Sequence, residues 1–384
     1  MSIIFPGIVL SKDRELILKT GCSFLLLTAV SVAWANVPEV KVLIGKSLSE
    51  VNVLGTDLKK TLHYNKSSQQ FAGRKMIKFK CQAANLKRPE LLASVSSPTG
   101  FISWEDSKFQ GELELIKNPK TPNCDLVNKV PMDIYIASLL SKEMNATWPI
   151  EALKAQAVAA RTYAYQRINQ DSFYHLESSE KDQVSGSFKD ITQKTLQAAR
   201  ETQGEILMGP TGKITPAFFH SKCGGKTFRP DQVWGGMEDG YQQVECPFCH
   251  KTGVKPWKHE IGKAKLTDML DRVLNRYYSD KIKNPRDIKI LQDSPDRTEL
   301  RFYSGSKLHV VKKSYVRTLF GRELLPSNNY VLNVKNSEVE VSGHGYGHGV
   351  GMCQLGALEL AKRGYSYKDI LSHYFPQHQL KKIY

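Results

Sequence analysis

Residues 130–168 read VPMDIYIASLLSKEMNATWPIEALKAQAVAARTYAYQRI, and the fold turns on them. The spacing predicts a helix, a tight break over residues 145–149, and a second helix. Pro149 opens the second helix at a place where its missing N–H removes no intrahelical bond. The Ala, Leu, Gln, Lys and Arg that follow are good helix formers. At about 100° per residue, Ile150, Leu153, Ala157, Ala160, Ala164 and Ile168 share one face, and Glu151, Ala155, Thr162, Tyr163 and Gln166 share the other. Lys154 and Arg161 project along the border of the apolar stripe.

A cation at the edge of a core snorkels to water or finds an anion. One ordinary salt bridge plus one surface lysine would account for both. The anion that stands out is Glu143, which closes the first helix on a segment (Ile136, Leu139, Leu140, Met144) apolar enough to be packed. A carboxyl in a low-dielectric crevice has its pKa raised and can serve as a general acid. Neighbouring cations would pull that pKa back down, or would hold an anionic substrate. Spacing alone does not choose between these.

The stretch resembles the signature of the SpoIID family (stage II sporulation protein D), which includes the amidase enhancer LytB. That signature is a V-P-x-E-x-Y helix ending in E-M, then W-P-x-E-A-L-K-A-Q-A-V-A-A-R-T-Y. Val130, Pro131, Tyr135, Glu143, Met144, Trp148, Pro149 and the whole of residues 151–163 match; Asp133 replaces the usual Glu, and Asn145 stands where Pro is common. The resemblance implies a lytic transglycosylase acting on peptidoglycan glycan strands. Glu143 would be its catalytic acid, and Lys154 and Arg161 would be needed for activity.

Composition agrees with such a setting. The 384 residues suffice for two domains, with 41% hydrophobic and 24% charged residues and no low-complexity tract. The formal charge of +16 suits a polyanionic partner. No zinc-finger, basic-zipper or RNA-binding signature is present, so the acidic bacterial envelope is preferred to nucleic acid. Lys12, Arg14 and Lys19, the apolar run at residues 21–33 and the Ala33-Trp34-Ala35 pattern read as a signal peptide cut after Ala35. The run is short for a bilayer, and no later stretch is long and apolar enough to span one. The expected location is periplasmic or secreted, with no stable membrane span after cleavage.

The expected architecture is α+β: a signal peptide (1–35), a small β-rich module (36–125) and a SpoIID-like mixed catalytic region (126–384). In the module, EVKVLIG, VNVLG, TLHYN, KMIKFKCQ, FISWE and GELELIK read as strands, with DSKFQ as a polar connection. Cys81 and Cys124 are candidates to pair across it, since disulfides persist in an oxidising envelope. Past the helices, some relatives bind zinc through a Cys/His cluster ahead of a Q-x-Y-x-G motif. This loop keeps His175, Gln183 and Gly186 but has no cysteine, so that site is not expected here.

Two further blocks fit the family. In KITPAFFHSKCGGKT, Phe218, His220, Ser221, Gly224, Gly225 and Thr227 match a strand followed by paired glycines, which allow a tight turn and close approach of a ligand. SGHGYGHGVGMCQLGALELAK places glycines at 343, 345, 347, 349 and 351 before a helix from about Gln354 to Lys362, with Cys353 in the family's serine position. His344 and His348 are four apart, but the backbone there is Gly-rich and the Glu of H-E-x-x-H is missing, so a zinc-protease pair is not indicated. His220, His344 and His348 are expected along a sugar groove, with Tyr241 beside them. The segment SYVRTLFGRELLPSNNYVL is assigned a structural role.

Cys246-Pro-Phe-Cys249-His250 adds a C-x-x-C pair. With Cys223 and His220 or His250 it would complete a tetrahedral Cys3His zinc site; the alternatives are a disulfide from Cys223 to one of the pair, or a Cys246–Cys249 couple. No cofactor is required for the chemistry, and a structural zinc is the one metal the sequence suggests. The partners expected are glycan strands and, from the amidase-enhancer resemblance, a cell-wall amidase. A non-catalytic glycan binder or amidase enhancer is the leading alternative, and a zinc hydrolase centred on the cysteines a third. The enzyme reading is tied to Glu143 lying beside Lys154 and Arg161, in a groove wide enough for a sugar chain.

Overall fold

Alternation of apolar residues with period two builds the first part of the chain. A computed structural model describes residues 37–384 apart from 82–85, 99, 120, 180, 181, 185, 254, 283–287, 292–297 and 336. The expected signal peptide lies outside the described residues. Strands β1 (Glu39–Leu48), β2 (Glu50–Leu62), β3 (Ser67–Lys80), β4 (Glu90–Ser96), β5 (Ile102–Trp104), β6 (Ser107–Phe109), β7 (Glu112–Lys117), β8 (Cys124–Pro131) and β9 (Leu176–Glu177) form a nine-stranded sheet. Its order is β6-β5-β2-β4-β7-β8-β1-β9, with β3 beside β2. Val51, Val53, Ile77, Val95 and Leu113 point from it into one apolar cluster.

The sheet differs from the sequence reading in three places. VNVLG and the start of TLHYN belong to one strand, β2, which absorbs a bulge between Thr56 and Leu58 and keeps its pairing with β3. DSKFQ holds β6, the second arm of a hairpin with β5. The boundary expected at 125/126 falls inside β8, which pairs with both β1 and β7 and runs directly into the first helix. Sheet and helices therefore form one compact unit, residues 36–384.

Cys81 and Cys124 are bonded, with their Cα atoms 5.8 Å apart across a sequence separation of 43. Closing a loop of that length removes freedom mainly from the unfolded chain. The double variant Cys81→Ser/Cys124→Ser is expected to lose about 2–4 kcal/mol in urea unfolding, with the native sheet intact by circular dichroism. An unchanged midpoint would leave the crosslink without a stabilising role.

Helices α1 (Met132–Glu143) and α2 (Ile150–Gln166) stand where the sequence puts them. Helix α2 is buried nearly all round, because α1, α3 (Gln193–Glu201), α7 (Gln354–Lys362) and α8 (Tyr367–Tyr374) pack about it. The middle of the face that looked polar (Ala155, Thr162, Tyr163) is therefore interior: Thr162 donates to the Val158 carbonyl and accepts from the Leu207 N–H. Between α3 and α7 come β10 (Glu205–Met208), β11 (Phe219–His220), α4 (Pro230–Val233), β12 (Trp257–Gly262), α5 (Lys263–Tyr278), β13 (Ile288–Ile290), β14 (Glu299–Ser304), β15 (Lys307–Lys312), α6 (Lys313–Phe320), β16 (Tyr330–Lys335) and β17 (Glu338–Gly343). Strand β18 (Met352–Cys353) pairs parallel with β11, and β19 (Gln379–Lys382) pairs antiparallel with β10. The described helices and strands together make an α+β fold. No helix among the described residues is long and apolar enough to cross a membrane.

Candidate active-site groove

Helix α1 stops at Glu143 because Met144 takes extended backbone (φ −135°, ψ 156°). The carboxyl is thereby left at the helix end, facing residues 182–184. The Val184 N–H donates to Glu143 Oε1 at 3.3 Å, and the side chain of Gln354, the first residue of α7, also hydrogen-bonds the carboxylate. Burial pushes the Glu143 pKa above its ordinary value, and those two bonds only partly oppose it. The loop that supplies Val184 is itself held: Tyr135 Oη donates to Gln183 Oε1 at 2.8 Å, and Gln183 Nε2 donates to the Ala160 carbonyl at 3.3 Å.

Glu143 opens onto a groove of about 1060 Å³. Tyr163 and Asp182 lie near it, Phe218, Trp234, Trp257 and Tyr346 supply aromatic walls, and His220 and His348 line the wall between them. The Trp234 and His348 rings are 5.1 Å apart, Phe218 and Trp234 4.7 Å, and His220 and His348 5.6 Å. His220 Nδ1 bonds the Val350 carbonyl at 3.0 Å, while its Nε2 is buried without a hydrogen bond. Burial lowers the His220 pKa to about 4 and that of His348 well below its ordinary value, so both imidazoles are neutral at physiological pH. The glycine spacing has a steric cause at two points: a Cβ on Gly351 would sit 2.1 Å from the Phe218 carbonyl oxygen, and one on Gly347 would sit 2.9 Å from His220 Cβ.

Several expected residues are placed elsewhere. Arg161 is fully buried and pairs with Asp133 at 3.3 Å, at the other end of α1 from Glu143. Its Nη2 also donates to the Ala199 carbonyl at 2.9 Å, and its Nη1 to Thr202 Oγ1 and the Glu205 carbonyl at 3.3 Å, while its Nε is buried without a hydrogen bond. Lys154 pairs with Glu201 at 2.6 Å and Glu151 at 3.0 Å. Neither cation lines the groove, and neither is among the groups that shift the Glu143 pKa. The condition that Glu143 lie beside both is not met, although Glu143 does line a groove.

Tyr241 is also behind the wall. Its hydroxyl donates to the Pro216 carbonyl at 2.6 Å and accepts from the Phe218 N–H at 2.9 Å, which positions the Phe218 ring. His344 is exposed and is not among the residues lining the groove, whereas His348, two glycines on, is. The segment given only a structural role does more: Arg317, Thr318, Gly321, Arg322 and Pro326 border the groove. Arg317 is held there by bonds to the Leu325 and Pro326 carbonyls at 2.8 and 3.0 Å.

Cys223, Cys246 and Cys249 do converge, and the fourth member of the group is Cys353, with neither His220 nor His250 in it. Parallel pairing of β11 with β18 brings the Cys353 sulfur to the turn that carries Cys223. Trp234, Trp257, Asp182, Gln354 and Cys353 were not read as site residues. The Cys353 substitution in a Gly-rich block, beside three other cysteines, was the one available signal among them.

A sequence model of the stage II sporulation protein (SpoIID) family matches residues 120–208, which hold α1, α2 and the Val184 loop. An uncharacterized protein of Brachyspira hyodysenteriae is 31% identical over 273 residues, covering 70% of this chain and 71% of that protein. The amidase enhancer of Bacillus subtilis is 26% identical over 322 residues, 73% of this chain but 45% of the enhancer. The stage II sporulation protein D of the same organism is 26% identical over 282 residues, 67% of this chain and 76% of that protein. A relative 31% identical over most of its own length, together with the family model across the helix pair that sets Glu143 at the groove, means that the chain belongs to the SpoIID/LytB family.

Proposed function

We propose that the protein is an envelope enzyme that cleaves peptidoglycan glycan strands as a lytic transglycosylase, with Glu143 as its acid and base. The observation that carries this is a desolvated carboxyl, raised in pKa, at the floor of a groove with aromatic walls. Protonated Glu143 would donate its proton to the oxygen linking N-acetylmuramic acid to N-acetylglucosamine, and the C1–O bond would break. The C6 hydroxyl of the same muramic acid would then attack C1, closing a 1,6-anhydro ring and returning its proton to the carboxylate. No water is consumed, and one carboxyl acts twice in place of the paired carboxyls of glycoside hydrolases.

The displaced cations do not weaken the acid. A positive side chain against Glu143 would lower its pKa, and its protonated fraction near neutral pH is larger without one. Arg317 and Arg322 bring positive charge to the wall instead, where the lactyl carboxylate of muramic acid would lie. Trp234, 44% exposed, lines the groove beside Phe218 and His348. Trp234→Ala is expected to weaken glycan binding at least about fivefold without lowering the melting temperature, measured by sedimentation with insoluble peptidoglycan.

The similarity to an amidase enhancer supports a second reading, in which the groove holds glycan and assists a cell-wall amidase without cleaving it. Mass spectrometry of glycan treated with the purified protein separates the two. Anhydro-muramic ends that appear with time and vanish in Glu143→Gln support the enzyme. Glycan binding with no anhydro ends supports the enhancer.

A further inference from the structure

We infer that Cys223, Cys246, Cys249 and Cys353 bind one zinc ion as a closed, structural tetrathiolate site. The four sulfurs come from three separate parts of the chain and lie within 4.8 Å of one another, all buried. A tetrahedron with zinc–sulfur bonds of about 2.3 Å sets its sulfurs about 3.8 Å apart. Cys223 Sγ and Cys249 Sγ are 3.5 Å apart, so the group needs little adjustment to close on an ion. An all-sulfur set selects zinc over calcium or magnesium.

Backbone N–H groups face two of the sulfurs, while Cys249 Sγ and Cys353 Sγ also lie 3.6 and 3.8 Å from the Cys246 and Ser221 carbonyls. The Gly225 N–H donates to Cys223 Sγ at 3.4 Å, and the Cys223 N–H to Cys353 Sγ at 3.4 Å. The Gly356 N–H donates to Cys353 Sγ at 3.3 Å, which makes that sulfur the cap of α7 and places it in the positive field of the helix N-terminus. Tyr374 Oη lies 3.1 Å from Cys246 Sγ. Such donors offset the charge of metal-bound thiolates and stabilise a neutral disulfide much less.

Four protein ligands leave no position for a water, so the ion would not act as a hydrolytic centre. It would pin residues 223–249 to the start of α7. Cys353 is the immediate neighbour of Gln354 in that pin.

Elemental analysis of the purified full chain is the test, and it does not depend on catalytic activity. The expected result is one zinc per chain, released when the thiols are titrated with a mercurial. Cobalt exchanged into the site should give the intense visible bands of a tetrahedral tetrathiolate. Cys353→Ser should lose the zinc or shift those bands. If that variant fails to accumulate, Cys353→His, which restores a ligand, should retain metal with shifted bands. The proposal is overturned by a metal-free chain whose four cysteines are disulfide-bonded or take up no cobalt. It is equally overturned by full zinc content with unshifted cobalt bands in Cys353→Ser.

Discussion

Glu143→Gln is expected to cut the release of 1,6-anhydro ends about 10²–10⁴-fold while leaving the folded protein at least as stable at neutral pH. Both halves follow from one environment. The side chain is the acid in the proposed reaction, and glutamine cannot donate that proton. Burial disfavours the ionised form, so the folded chain releases this proton less readily than the unfolded chain. Native stability therefore falls as pH rises from the ordinary glutamate value through the raised one, and glutamine removes that fall. The Val184 N–H keeps its acceptor in the amide oxygen. In the wild type, turnover should decline as pH rises through the same raised value, since only the protonated carboxyl can act first. Activity within tenfold of wild type would remove Glu143 from the chemistry. A lower melting temperature would make it a structural residue.

Arg161→Ala is expected to cost about 3–5 kcal/mol in urea unfolding, because it strands the buried Asp133 carboxylate. Gln203 Nε2, at 2.9 Å, and the Tyr384 hydroxyl, at 3.3 Å, would remain around that carboxylate, but neither carries charge. Lys154→Ala should cost less than about 1 kcal/mol, since Glu201 is exposed and gains solvent when the lysine is lost. Binding of glycan should change little in Lys154→Ala. A stable Arg161→Ala protein that no longer binds glycan would instead return the arginine to the substrate.

The helices were legible in the sequence because their signals are local: a proline at the break, good helix formers after it, and apolar residues at helical spacing. The partners of Lys154 and Arg161 were not. A border cation announces that it needs an anion but not which one. The true partner of Arg161 begins α1, while the carboxyl nearest the helix break, Glu143, is the more conspicuous candidate. The cysteines divide in the same way. C-x-x-C at 246 and 249 is visible as a pair, but Cys353 joins it only through the pairing of two short strands far apart in sequence. The β-rich module was recognisable from alternation, and its expected edge falls inside a strand because β8 continues past Cys124, with Leu126, Val127 and Asn128 all buried, and hands over to α1 without a turn.

The two-residue strands β11 and β18 cannot persist on their own, since so short a pairing holds only inside a larger framework. His220 meets Val350 across a separation of 130 residues. The entropy of bringing such distant segments together must be met before their contacts return anything. On a growing polypeptide the nine-stranded sheet has all its strands by residue 177, whereas the wall with both imidazoles waits for residues 348–353. The proposed groove is therefore a late product of folding, because its wall joins segments that lie 130 residues apart.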